Sequence, residues 1–387
     1  MNKKKVLIIN SHYLPGYKSG GPQRTVENIV DVFGDKANIY ILTQDHDFGC
    51  TDHYEGVINN KWTQVGKAKV MYVSTSDFRW SALKKAYFAF DTIYGCGLFD
   101  VGCRNLLLIH RLYNKKYGKD KKIYVAPMGV FSSGAYNNAS HKKKSLFIKA
   151  YKALGAFKNI TWSFTTEAEV KEAETVLGYK LKSNDYIIAE DLPRKVDFDY
   201  YRDKAEKYHK ESGKLNLVFI SRIPPQKNLT YALEILNCKY DGEIKYDIYG
   251  TREDKNYWEK CKALMEKLPS NVHAKYCGEL KPNQVLDTFS KYDAFLFPTK
   301  GENFGHVIYE SMAAGCIPII SDQTPWKGDG VIVHSLDNRE EFRRDIEILI
   351  NYNAVKMIKQ KNIEIEIARN AFISSISNSG YNHVMGQ

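Results

Sequence analysis

Two runs of alternating strand-like and helix-like segments constrain this chain more than any other feature. In the first run, residues 6–10 (VLIIN) read as a buried strand. Residues 22–33 read as an amphipathic helix with Val26, Ile29, Val30 and Phe33 on one face. Further strands are expected at 39–42, 70–73, 123–126 and 184–189, and helices at 80–90 and 101–117. A charged stretch, 191–213, contains Pro193 and reads as a connection with a surface helix. The pattern then restarts. Strands at 215–220, 244–249, 272–276, 294–297 and 317–320 alternate with helices at 229–236, 257–268, 283–290 and 304–314, and 339–372 reads as helical. Such alternation means parallel sheets covered by helices. The expected fold class is α/β, with two Rossmann-like doubly wound domains facing across a cleft. A chain of 387 residues also exceeds what one core usually serves. The expected division is a first domain over 1–195, a linker over 196–213, a second domain over 214–365, and a C-terminal helix or tail, 366–387, returning to the first. Open parallel sheets bind ligands beyond the carboxyl ends of their strands, so chemistry is expected in the loops that follow strands.

Charge narrows the partners. The formal net charge is +11, and residues 101–150 carry most of the excess, with eleven lysines and arginines against one acid, Asp120. One basic segment on a neutral body suggests a local anionic partner rather than nucleic acid. Within it, Lys142, Lys143, Lys144 and Lys149 surround Leu146, Phe147 and Ile148, an interfacial-helix pattern. No apolar run approaches the roughly 18 residues of a spanning helix, so membrane contact is expected to be peripheral. Seven scattered cysteines suit a reducing, cytoplasmic compartment better than a disulfide framework. No Cys/His spacing suggests a metal.

Three loops stand out. Residues 15–22 (PGYKSGGP) follow the first strand, and Gly20 and Gly21 let backbone N–H groups approach an anion at a helix start. Residues 221–228 (SRIPPQKN) place Arg222 and Lys227 around a proline-stiffened turn, and two cations at a helix start suit a diphosphate. Residues 301–315 (GENFGHVIYESMAAG) place Glu302 at a loop end and Glu310 two helical turns on. A carboxylate suits vicinal hydroxyls because it accepts two hydrogen bonds at once. Glu310 lies in an apolar helix and needs a partner.

The E-x7-E spacing with NFG and SMAAG around it resembles the family 4 glycosyltransferases of the GT-B fold. The SRIPPQKN turn and the SGGP loop resemble them too. Residues 90–99 (FDTIYGCGLF) and the later YVAPMGVFSSGA resemble the acceptor-domain half of bacterial polysaccharide members, which build O-antigen and capsule. The resemblance implies a retaining hexosyltransferase that moves a sugar from a UDP- or GDP-sugar to a glycan or lipid-linked oligosaccharide. It implies that Arg222 and Lys227 neutralise the diphosphate, that Glu302 binds donor-sugar hydroxyls, and that Glu310 binds the ribose. Amides of Asn303, Phe304 and Gly305 would meet sugar and phosphate. Gly20 and Gly21 would approach the phosphates, while Gly250, Tyr276 and Gly278 would surround the base. No cofactor or metal is expected. The location expected is the inner face of the cytoplasmic membrane, with residues 101–150 against anionic lipid and 129–136 lining the acceptor side.

One departure matters. Many relatives carry His-x-His-Gly where this chain reads Tyr94-Gly95-Cys96-Gly97. His12, Cys96, Gly129 and His306 are the acceptor-side candidates. Asp45-His46-Asp47 and Asp197-Phe198-Asp199 resemble a metal-binding D-x-D, but neither lies beside the E-x7-E unit in sequence. The competing readings are a non-catalytic sugar-nucleotide or polyanion-binding protein and a GT-B nucleotide-sugar epimerase.

Overall fold

The structure is a computed structural model and describes residues 3–117, 121–136, 140–328 and 330–386. Lys119 and Asp120 of the basic segment lie outside the described residues. The chain forms two compact units, Met1–Lys195 with Ser375–Gln387, and Val196–Ser374.

The first unit is built on an eight-stranded sheet of order β3-β4-β2-β1-β5-β6-β7-β8. Its strands are β1 (Lys5–Ile9), β2 (Asn38–Gln44), β3 (Trp62–Val65), β4 (Ala68–Val73), β5 (Thr92–Cys96), β6 (Lys122–Ala126), β7 (Thr161–Phe164) and β8 (Tyr186–Ile188). All pairings are parallel except β3 with β4. Strand β1 is apolar and buried along Val6–Ile9 because helices cover both faces of the sheet. The helix Gly21–Phe33 buries the face formed by Val26, Ile29, Val30 and Phe33. The strand order reverses between β1 and β5, the switch point where loops diverge and leave a crevice. Ser375–Gln387 complete this unit, with Tyr381, Val384 and Met385 buried in the same core as Phe33 and Tyr94.

The second unit has a parallel six-stranded sheet of order β11-β10-β9-β12-β13-β14. Its strands are β9 (Lys214–Ile220), β10 (Glu243–Tyr249), β11 (Val272–Gly278), β12 (Ala294–Phe297), β13 (Ile317–Ser321) and β14 (Ile332–His334). Here the order reverses between β9 and β12.

Several expectations need correction. The stretch 196–213 is not a linker. It holds the helix Phe198–Glu206, and Val196, Tyr201 and Ala205 are buried in the second unit's core. Asp197 caps that helix by accepting the Tyr200 amide at 3.1 Å, which accounts for the Asp197–Asp199 triplet. The helix expected at 80–90 is two helices, Thr75–Arg79 and Ser81–Ala89, interrupted at Trp80, whose φ/ψ of −147/−57 is not helical. The last long helix runs Ala354–Ser377, past the expected boundary at 366.

The basic helix His141–Ala153 is also arranged differently. Ile148 is buried, and the Phe147 ring lies 5.3 Å from that of Phe99. Lys144 donates to the Ala135 carbonyl, with its ammonium 5.7 Å from the centre of the Phe99 ring. Lys142, Lys143, Leu146 and Lys149 therefore make the exposed face, and Leu146 is 69% exposed. No described helix is long and apolar enough to cross a membrane.

Candidate functional site

The second unit gathers the donor-side candidates at the carboxyl ends of β9, β10, β11 and β12. Three loops are stitched together by their main chains. Ser221 N–H donates to Tyr249 O at 3.2 Å, Ile223 N–H to Thr251 O at 2.9 Å, and Gly250 N–H to Gly278 O at 2.8 Å. Gly250 is required here: a Cβ would stand 1.7 Å from the Ser221 carbonyl oxygen. The Tyr276 hydroxyl donates to Gly250 O at 2.9 Å, and the Arg252 guanidinium lies over the Tyr276 ring at 4.4 Å. Gly278 has a φ of 92° and open space beside its Cα.

The proline-stiffened turn carries Lys227 to the site. Pro225–Lys227 form a 3₁₀ turn, and Asn228 ends it in the left-handed region at φ 59°, its side chain donating to Pro298 O at 2.9 Å. Lys227 pairs with Glu302, and its ammonium lies 5.6 Å from the centre of the Phe297 ring. Glu302 is fixed further by the Thr299 hydroxyl at 3.2 Å and by its own amide, which donates to Gln323 O at 3.1 Å. The lysine expected on the diphosphate and the carboxylate expected on the sugar thus hold each other. A half-buried, hydrogen-bonded pair is preorganised in a way that two solvated side chains are not. Arg222 is looser, exposed and 3.5 Å from Glu253.

The helix His306–Ala313 starts after Gly305, whose φ of 78° makes the turn. That is why the helix begins two residues later than expected. The Trp326 indole donates to Phe304 O at 2.5 Å and so fixes the Asn303–Gly305 loop at the positive helix end. The His306 ring lies 4.8 Å from Phe304. Glu310, one face further along, is only 6% exposed among Ile308, Tyr309 and Met312. Arg252, Thr299 and Trp326 escaped the sequence reading. The signal for Thr299 was its place just after β12; nothing local marked Trp326.

The remaining candidates belong to the first unit. Gly20 (φ 75°) caps the helix Gly21–Phe33, and beside Gly21 a Cβ would meet nothing within 4 Å. Asp47 accepts the amides of Tyr17 at 2.9 Å, Lys18 at 3.2 Å and Phe48 at 2.7 Å, so it ties down the loop before those glycines. Asp45 accepts from Asn59 at 2.6 Å and from the His53 ring at 2.9 Å. The Asp45–Asp47 triplet is therefore engaged in structural bonds. His12, after β1, has its Nδ1 3.0 Å from His46 O, and burial holds its imidazole below its ordinary range. Cys96 is fully packed, and burial raises its thiol well above the ordinary range. That removes it from the acceptor-side candidates, since a buried neutral thiol neither attacks nor touches substrate. Gly129 has its amide committed to Glu169 at 2.9 Å.

Residues 201–362 match the family model of glycosyl transferases group 1. Over 196 residues, 47% of this chain and 48% of the relative, the sequence is 25% identical to the GDP-mannose:cellobiosyl-diphosphopolyprenol alpha-mannosyltransferase of Xanthomonas campestris. The chain thus spans about half the length of that relative. HepE of Anabaena, solved in complex with UDP-glucose, matches 99% of this chain and 100% of its own with a TM-score of 0.65 at 12% identity. Sucrose-phosphate synthase of Thermosynechococcus elongatus matches 100% of this chain and 97% of its own, with a TM-score of 0.66 at 13% identity. The fold is GT-B, with two Rossmann-like α/β units and parallel sheets.

Proposed function

We propose that this protein is a retaining glycosyltransferase that transfers a sugar from a UDP- or GDP-sugar to a glycan or lipid-linked oligosaccharide of bacterial surface polysaccharide synthesis. The observation that carries the reading is the Lys227–Glu302 pair beside the start of the helix His306–Ala313, with Glu310 buried on the same helix. Cations and helix N–H groups suit a diphosphate, and the two carboxylates suit sugar and ribose hydroxyls. The matched family, the diphosphopolyprenol acceptor named for the Xanthomonas relative, and the UDP-glucose bound by HepE support it. In the reaction the bond from the anomeric carbon to the leaving phosphate oxygen breaks as the acceptor oxygen attacks from the same face. The acceptor proton passes to the leaving phosphate. Negative charge grows there, and Lys227 with Arg222 stabilises it without a protein base. His12 and His306 are the side chains offered to the acceptor and the sugar.

A screen of UDP- and GDP-sugars for turnover in excess EDTA tests the function and its metal independence together. Turnover in EDTA is the expected result. Activity that appears only with Mn²⁺ refutes metal independence, and binding of every donor without turnover favours the non-catalytic reading.

Peripheral attachment is part of the proposal. Lys142, Lys143, Leu146 and Lys149 give the helix His141–Ala153 a basic exposed face with an apolar anchor. Reversing Lys142, Lys143 and Lys149 to glutamate is expected to lower partition onto anionic vesicles by about 100-fold or more. Unchanged flotation with such vesicles refutes it.

A further inference from the structure

A cavity of about 710 Å³ opens in the first unit at the amino ends of β6, β7 and β8. It lies at the opposite end of the sheet from the loops of His12, Gly20 and Gly129, all of which follow strands. Its volume falls in the range of small-molecule sites. Four lysines line it, Lys121, Lys122, Lys152 and Lys158, against one carboxylate, Asp185. That carboxylate already accepts the Lys182 amide at 2.8 Å.

Two of the ammonium groups are held in place. Lys121 donates to Phe90 O at 2.9 Å and lies 5.0 Å from the centre of the Tyr87 ring. Lys152 donates to Leu177 O at 2.9 Å and lies 5.2 Å from the centre of the Tyr179 ring. Each ammonium has three donors; Lys121 is buried and already paired with Asp91 at 3.7 Å, so of these two it is Lys152 that keeps capacity for an anion. No hydrogen bond or ion pair joins the Lys122 or Lys158 side chain to another described residue. Positive charge is crowded here: after burial, the charge of Lys122 is the next influence holding the Lys4 ammonium below its ordinary value. Like charges gathered around a concavity cost stability that a bound anion returns.

The walls define the rest of the ligand. Phe157 and Tyr179 are half-buried rings, and Asn159 and Asn184 place exposed amides at the rim. Amides suit hydroxyls, and rings suit the C–H face of a sugar or polyol. We infer that this cavity is a second anion site of the protein, taking a phosphate ester of a polyol or sugar. The same chemistry comes from a soluble sugar phosphate or from a lipid headgroup. The cavity adjoins the end of the helix His141–Ala153, followed by exposed Leu154, so a headgroup source is sterically open.

The test compares two double variants of equal charge change in the full chain, Lys122→Gln with Lys158→Gln, and Lys142→Gln with Lys143→Gln. The probes are glycerol 1-phosphate and glucose 6-phosphate, titrated by calorimetry, and vesicles of roughly three parts phosphatidylcholine to one part phosphatidylglycerol, scored by flotation. The cavity pair is expected to weaken the soluble esters by about 25-fold, at roughly fivefold per lysine, and the helix pair to weaken them much less, while in the vesicle arm the helix pair also loses binding because its lysines face the membrane. Loss confined to the soluble esters assigns a free metabolite. Loss in the vesicle arm, larger than for the helix pair, assigns a headgroup. If the cavity pair changes neither arm, or both pairs weaken both arms alike, there is no site here and only a diffuse field.

Discussion

Lys227→Met is expected to lower kcat by about 100- to 1000-fold while the protein remains folded, the scale on which removing one preorganised charge donor acts. The lysine is half-buried, paired with Glu302 and seated over Phe297, so no mobile surface cation can take its place. Arg222 is exposed and only loosely held by Glu253, so Arg222→Met should cost less than Lys227→Met. Glu310→Ala should act differently, raising the donor KM, because a ribose contact is made equally in the ground and transition states. Steady-state kinetics with the donor found in the nucleotide-sugar screen checks all three. Near-parental turnover in both Lys227→Met and Glu310→Ala would sink the proposed site. Thermal unfolding of each variant separates lost chemistry from lost structure.

The second large effect concerns stability. Glu364→Gln is expected to stabilise the protein, and more so as pH rises. Glu364 is wholly buried, with Gln360 donating to Oε1 and no hydrogen-bond partner for Oε2 among the described residues. Burial pushes its carboxyl up to about 8, despite Gln360 and nearby Lys361. Lys361 is itself buried, donating to Tyr292 O at 2.5 Å and Gly315 O at 2.9 Å, with Asp293 and Cys316 near it. In the unfolded chain Glu364 ionises near its ordinary value of 4.5. Between those two values the folded state holds the extra proton, so stability falls as pH rises. The loss amounts to roughly 3 kcal/mol by pH 7, and glutamine removes it. Urea unfolding at pH 5 and pH 8 checks the sign. A difference between variant and parent that fails to widen with pH refutes the account.

Much of the fold was legible because a buried parallel strand is a contiguous apolar run. Residues 294–297 matched β12 to the residue, and the helices at 101–117 and 229–236 matched likewise. Strands with weaker signals were missed. β3 is an antiparallel edge of mixed polarity, β7 (TWSF) interleaves polar residues with apolar ones, and β14 is three residues long. The charged stretch 196–213 misled because Lys210, though charged, is buried, with its ammonium donating to Glu211 O at 3.1 Å. At the site, local spacing marked Arg222, Lys227 and Glu302 as polar groups in strand-end loops and Glu310 as a carboxylate on the helix that follows. It could not show that Lys227 and Glu302 pair, because that depends on β9 lying beside β12. Cys96 shows the reverse limit. Its position at the carboxyl end of β5 suggested a role, and only packing reveals that it faces the core.

The return of Ser375–Gln387 to the first unit bears on how such proteins recombine. Tyr381, Val384 and Met385 are core residues of a unit whose other members all precede residue 196. The unit is therefore discontinuous in the gene, and the second unit is an insertion within it. A chimaera joined at a single crossover near residue 195 would pair one parent's sheet with another parent's closing helix. A clean exchange of the second unit needs two junctions, one at each end of Val196–Ser374, so that the tail travels with the core it completes.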